Sequence, residues 1–369
     1  MKASPRRRRR NVTFFVAVAA LAVAAAACMP AAPAPPAPQP VATTQPPPPA
    51  LVPAPGGIST PGIAVHISTA NPSLTKVIDF PDPSVTKVGG TYYAYSTGSG
   101  FNALQVIKST DLQSWQWVGD PFSGGSSGWA HLFANTWGPT MVQLGSKYVL
   151  YYSSLSQVGN SAGMHCIGRA VSASPEGPFV DEETQPFFCD TARGGSVDPS
   201  PIVTNGRVYL TYQSFGVASI GEPTRLWTRQ LSADGLSIAS TPTQNLATLG
   251  WSFEPPVIEG PSMMPSPDGG YLLFYAAGLW TTANYKVAVA WCPTPTAACT
   301  RFYSTPVLAT RGTMAGPGGP GVFQDPSGAW RLAFAAWTSP AVGYPAGGAR
   351  SFRILPITFP SGGHKPKVG

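Results

Sequence analysis

Five copies of one strand–turn–strand design, a near-constant step between them, and no helical pattern of useful length predict an all-β chain folded as a five-bladed β-propeller. The first copy is Asp82-Pro-Ser-Val-Thr-Lys-Val-Gly-Gly-Thr-Tyr-Tyr-Ala-Tyr-Ser96. An acidic residue and a proline open it, an apolar run follows, a glycine turn breaks it, and an aromatic strand closes it. The design returns from Gly138 to Tyr152, from Asp198 to Tyr212, from Gly260 through Gly269 to Tyr275, and from Gly319 through Gly328 to Phe334. The opening prolines fall at 83, 139, 199, 261 and 320, so the steps are 56, 60, 62 and 59 residues. A β-sandwich has similar strands but needs no regular period.

Taken in order, residues 1–28 read as an export signal, with a basic start and an apolar, small-residue run from Val12 to Ala27. That run is short of the roughly 20 residues a membrane-spanning helix needs. Ala25-Ala-Ala-Cys28 resembles a bacterial lipobox with Ala25 in place of the usual large aliphatic residue. Cys28 is therefore the expected lipidation site, plain secretion and an uncleaved anchor being the alternatives. Lys2 and Arg6 to Arg10 carry six of the 23 basic charges, and the remaining 17 nearly balance the 16 acids. The formal charge of +7 thus belongs to the leader, and nucleic acid is not an expected partner. Residues 29–61 hold 13 prolines in 33 positions and read as a disordered linker. At ~3.1 Å per residue it reaches on the order of 100 Å, enough to hold a folded domain away from a membrane.

Residues 62–369 are the expected propeller domain. Its apolar segments are strand-length and rich in Val, Tyr, Phe and Trp, with hairpin signals at Gly89-Gly90, Asn205-Gly206 and Gly269-Gly270. Three or four strands per repeat are expected. Without Cys28, four cysteines remain, at 166, 189, 292 and 299. An even count in an exported domain favours disulfides over a metal site, and proximity favours Cys166–Cys189 and Cys292–Cys299 among three connectivities. The first would contribute roughly 3 kcal/mol by closing its loop.

In a propeller the residues that open the innermost strands face one another across the axis. Here they are Asp82, Gly138, Asp198, Gly260 with Glu259 before it, and Gly319. Asp-Pro is also a common turn opener, so one aspartate could be structural. Three carboxylates converging on one axis instead suit glycoside hydrolysis, which needs a general acid and a base or nucleophile.

At this point Phe80-Pro-Asp-Pro-Ser84, Val197-Asp-Pro-Ser200 and Glu259-Gly-Pro-Ser262 resemble the signature blade openings of glycoside hydrolase family 43. Thr136-Trp-Gly-Pro139 and Ala315-Gly-Pro-Gly318 resemble its second and fifth openings, and the likeness runs over roughly residues 75 to 359. The resemblance implies an inverting glycosidase acting on arabinofuranose- or xylose-containing glycans, arabinan favoured. It implies Asp82 as general base, Glu259 as general acid, and Asp198 as the residue that raises and orients Glu259. Glu254 is the alternative acid, without the Gly-Pro context, and Asp79 reads as structural. Trp137, Trp251 and Trp280 are the expected sugar-binding aromatics, while Tyr93, Tyr95, Tyr151, Tyr209 and Phe274 read as packing between blades. The family's fifth opening often carries a histidine near a central calcium, and this chain has Gly319 there. Catalysis by three carboxylates requires no cofactor, and a central calcium stays open as the alternative. His131 could reach the cleft, and His165, beside Cys166, reads as belonging to a distal strand. A monomer meeting the membrane only through its lipid is expected, and a catalytically silent carbohydrate-binding propeller is the alternative function.

Overall fold

The computed structural model describes residues 66–68, 79–99, 102–122, 127–247, 250–360 and 362–369. The expected signal with Cys28 and the Pro-rich linker lie outside the described residues. The rest is an all-β five-bladed propeller, each blade a sheet built from one sequence repeat and antiparallel throughout except at the outer edge of blade 1. Blade 1 holds β1 (His66–Ser68), β2 (Ser84–Val88), β3 (Thr91–Thr97), β4 (Leu104–Ser109) and β5 (Ser114–Gly119). Blade 2 holds β6 (Ala130–Leu144), β7 (Lys147–Ser156) and β8 (His165–Ser172). Blade 3 holds β9 (Ser196–Thr204), β10 (Arg207–Ser214), β11 (Arg225–Gln230) and β12 (Thr243–Ala247). Blade 4 holds β13 (Ile258–Pro265), β14 (Tyr271–Ala277), β15 (Lys286–Cys292) and β16 (Thr300–Arg301). Blade 5 holds β17 (Met314–Gln324), β18 (Trp330–Thr338), β19 (Ser351–Thr358) and β20 (Lys367–Val368). Blade 1 exceeds the expected strand count because β1 joins the outer edge of β5 in parallel, His66 opposite Ser114.

The aromatic second strands explain why the blades stack. Alternate residues of a strand point to opposite faces. On β3, Tyr93 and Tyr95 enter a cluster with Trp129, Leu150 and Tyr152 of blade 2. Tyr92 and Ala94 enter another with Phe323, Ala333 and Phe352 of blade 5. On β14, Leu273 and Tyr275 meet residues of blade 3, while Leu272 and Phe274 meet blade 5. Both faces are buried, so these strands read as near-continuous apolar runs. Each large ring so buried contributes about 2–3 kcal/mol relative to exposure. The five rings expected as packing are all buried. Asn205 (φ 50°) and Gly206 (φ 70°) make the tight turn between β9 and β10 that an Asn-Gly pair favours. Both expected disulfides are formed, Cys166–Cys189 and Cys292–Cys299.

Candidate active site

The five openings share one backbone device. Asp82, Gly138, Asp198, Gly260 and Gly319 all have positive φ, of 53°, 53°, 54°, 58° and 62°, and each precedes a proline. In blades 2 to 5 the pairing of the inner strand also breaks at this point, so a bulge turns the opening residue toward the axis. A left-handed conformation costs a residue with a Cβ about 1–2 kcal/mol and glycine almost nothing. Three openings accordingly use glycine. Asp82 and Asp198 carry that strain, which a turn opener alone does not require. Blade 4 avoids it: glycine takes the left-handed position and the acid, Glu259, comes one residue earlier.

The openings touch around the axis. A Cβ on Gly138 would lie 2.6 Å from Asp198 Oδ1, and one on Gly319 would lie 2.9 Å from Asp82 Oδ1. A Cβ on Gly260 would meet Pro320 Cδ at 3.5 Å. The Gly260 amide donates to Asp198 Oδ2 (2.9 Å), and the Asp198 amide donates to Ser153 Oγ (2.9 Å). Thr97 Oγ1 donates to Asp82 Oδ2 (2.7 Å) and accepts from the Gly138 amide (3.0 Å). Two glycine openings therefore lack an acid because the neighbouring blade's carboxylate fills the space.

The three carboxylates sit in different environments. Asp82 is held by Arg350, whose Nη1 and Nη2 donate to its two oxygens at 3.0 and 3.3 Å. Arg350 is buried at 6% exposure, and its own amide donates to Asp79 Oδ1. Glu259 accepts a hydrogen bond from the Tyr285 hydroxyl (2.6 Å). Burial pushes Glu259 up to about 7, with Tyr285 opposing and the Asp82 charge adding to the rise. Asp198 is pushed well above the usual carboxylate range, first by burial and then by the charges of Glu259 and Asp82. Tyr285 lies so close to Gly318 that a Cβ there would enter its ring at 1.8 Å. The glycine-rich fifth opening thus makes room for the tyrosine that touches Glu259.

Asp82, Asp198 and Glu259 come together through these contacts. Glu254 does not join them: it is fully buried, bonded by Arg301, Tyr275 and the amides of Gly250 and Trp251. Asp79 braces Arg350 and Tyr344, as its structural reading expects. Trp137 adjoins Gly138 and stacks face to face on His165, centroids 3.6 Å apart and planes at 17°. His165 opens β8, the outer strand of blade 2 as its reading expects, and lies at the carboxylate end of that strand, opposite the end of β7. Trp280 lies beneath the Arg350 guanidinium (4.8 Å) and against Trp337 and Tyr344. Trp251 is half-buried, and no hydrogen bond or ring contact among the described residues joins its side chain to the carboxylates. His131 is exposed on the edge of β6. Arg350 and Tyr285 escaped sequence reasoning, since neither lies in a repeated motif. Among the described residues no three His, Cys, Asp or Glu side chains are arranged to hold a metal ion. At the fifth opening Gly319 offers no side-chain donor where the resemblance places a histidine.

The family model described as Glycosyl hydrolases family 43 matches residues 70–364. The probable arabinan endo-1,5-alpha-L-arabinosidase A of Aspergillus flavus is 30% identical over 288 residues, 72% of this chain and 84% of that protein. The arabinan endo-1,5-alpha-L-arabinosidase A of Aspergillus niger is 27% identical over 258 residues, 64% of this chain and 75% of that protein. Among solved structures, an endo-1,4-beta-xylanase from Bacteroides thetaiotaomicron shares 26% identity with a TM-score of 0.65, over 79% of this chain and 94% of that one. A thermostable family-43 glycoside hydrolase shares the fold with a TM-score of 0.67 at 23% identity, over 79% of this chain and 93% of that one.

Proposed function

The chain belongs to glycosyl hydrolase family 43, and from that premise we propose that it is an inverting glycosidase of arabinofuranose-containing glycans, arabinan ahead of xylan. The observation that carries the reading is the separation of two carboxylates by environment. Glu259 is pushed up to about 7 by burial and keeps a proton near neutrality, while Asp82 is paired with the Arg350 guanidinium. Two carboxyl groups so distinguished suit an acid and a base.

Asp82 would take the proton of a water attacking the anomeric carbon, as Glu259 protonates the departing glycosidic oxygen. Asp198 and Glu259 each disfavour the other's ionisation, because the coupling of like charges is reciprocal. Asp198 is raised by the Glu259 charge and joins the fourth opening through the Gly260 amide, which places it to orient the acid. Trp137, beside the second opening, would offer a ring face to the sugar. The Pro-rich sequence of residues 29–61 and the lipobox-like Cys28 support export and lipid anchoring, and incorporation of labelled palmitate that is lost in Cys28→Ser tests the anchor.

Linear arabinan and a nitrophenyl arabinofuranoside are the substrates to try, with product chromatography and anomeric proton NMR. Release of inverted product, abolished in Asp82→Asn and Glu259→Gln, is the expected result. Wild-type turnover in either variant overturns the roles. Gly319, standing where the family often has histidine, favours a second reading as a silent carbohydrate-binding propeller, and binding without cleavage would support it.

A further inference from the structure

We propose that Trp137 and Phe215, joined through His165, form a second sugar-binding subsite between blades 2 and 3 for a neutral glycan chain, His165 being the residue that positions the rings. The proposal rests on the glycosidase reading for its occupant, a further sugar unit of the chain whose bond lies at the carboxylates.

Continuity is the first argument. Trp137 precedes Gly138, whose Cβ position is filled by the Asp198 carboxylate. Its ring stacks on His165, and the His165 ring lies 6.0 Å from that of Phe215 at 45°. The rings therefore lead outward from the carboxylates. They end in Phe215, a large apolar side chain left 38% exposed. Among the described residues, four of the seven exposed large apolar side chains, Phe133, Phe215, Ile220 and Leu279, sit at the carboxylate end of the blades. Sugar rings present apolar C–H faces to such surfaces, and a single aromatic contact is worth roughly 1 kcal/mol.

His165 presents a flat ring, with the Asn135 backbone as its hydrogen-bonding neighbour. Its Nε2 is buried with no hydrogen-bond partner among the described residues. Burial lowers its pKa to about 4, so it is neutral at pH 7. A neutral stack suits an uncharged polysaccharide.

The framework behind it is rigid. His165 precedes Cys166, which is bridged to Cys189, and a Cβ on Gly195 would strike the His165 carbonyl at 2.4 Å. Phe215 is fixed from the same side: the Gly216 amide donates to the Arg193 carbonyl (2.9 Å), and a Cβ on Gly194 would lie 2.4 Å from the Gly216 oxygen. Glu222 bridges Arg193 and Arg225 at 3.3 and 2.8 Å, closing the loop that carries Ile220. A preordered platform loses little entropy on binding.

The test compares kcat and KM of Phe215→Ala, His165→Ala and His165→Phe on linear arabinan and on a nitrophenyl arabinofuranoside, with thermal melting to check folding. In the two alanine variants the ratio of kcat/KM on arabinan to that on the aryl glycoside should fall about five- to tenfold, through KM. His165→Phe should restore it. An unmoved ratio in Phe215→Ala, or equal losses on both substrates, overturns the proposal. Should His165→Ala fail to fold, Phe215→Ala decides alone. A wild-type chain that cleaves no arabinan defeats the arabinanase reading instead. Affinity electrophoresis of Glu259→Gln in gels of arabinan, arabinoxylan or xylan then decides the subsite. Retardation weakened by adding Phe215→Ala supports it, and absent or unaltered retardation overturns it.

Discussion

The most informative residue is Glu259, because one shifted group governs both turnover and stability. A general acid acts while protonated, so kcat/KM should fall as pH rises through about 7, the value to which burial pushes Glu259. The Tyr285 hydroxyl stabilises the carboxylate form and holds that value down. Tyr285→Phe should therefore move the alkaline limb of the pH–rate profile to higher pH, and an unmoved or lowered limb would contradict the assignment. Linkage sets the sign for stability. The folded value lies above the ordinary value of 4.5, so the contribution of Glu259 is full below pH 4.5 and is lost as pH rises through about 7. Glu259→Gln, neutral throughout, should match the wild type near pH 4 and exceed it at pH 8. Partial exposure at the cleft mouth reduces the gain to on the order of 1–2 kcal/mol. Chemical denaturation at both pH values measures it, and equal stabilities at pH 8 would remove burial as the cause.

At the scale of the element, each opening does two jobs: it bends a strand and it clears space for its neighbour. Two glycine substitutions separate them. Gly145, in the turn between β6 and β7, has φ 62°, and a Cβ there would meet nothing within 4 Å. Gly145→Ala should cost about 1 kcal/mol and leave turnover per folded molecule unchanged. Gly138 has a similar φ of 53°, but its Cβ would push on the Asp198 carboxylate at 2.6 Å. Gly138→Ala should cost similar backbone strain and also lower kcat/KM by roughly 10²-fold, the effect of a misplaced reacting group. Equal activities of the two variants would show that Asp198 tolerates displacement. The repeat and its five openings were legible because the prolines recur at a fixed step and the strands carry aromatic runs. The difference between acid and glycine openings was legible as a pattern and not as a cause, since the cause is a carboxylate one blade away. Arg350 was illegible because it stands 268 residues from the Asp82 it holds. Tyr285 lies only 26 residues from Glu259, in the same blade, but no residue type recurs at its position to mark it as part of the site.

At the scale of the whole molecule, the described strands close the ring without exchange between its ends: blade 1 and blade 5 each draw theirs from one stretch of chain. Closure rests on side chains and a few polar contacts across the seam. Phe352 on β19 is 2% exposed and packs against Phe80 and Trp115, each at 5.3 Å between centroids. The Phe80 amide donates to the Arg350 carbonyl (2.9 Å). Phe80 lies two residues before Asp82, and Arg350 two residues before Phe352. One seam contact therefore backs both partners of the Asp82–Arg350 pair. Phe274 on β14 is as deeply buried, in the cluster between blades 4 and 5 and away from this pair. Either Phe→Ala change should cost about 3–5 kcal/mol through the cavity it leaves. Only Phe352→Ala should also impair catalysis in the folded state, because loosening the seam shifts Asp82 against Arg350, and misplacement of that kind costs on the order of 10²-fold. Assays well below both melting temperatures should find Phe274→Ala within about twofold of wild type and Phe352→Ala at least roughly tenfold lower. If both variants lose activity only in proportion to the unfolded fraction, the seam holds the ring together without tuning the site.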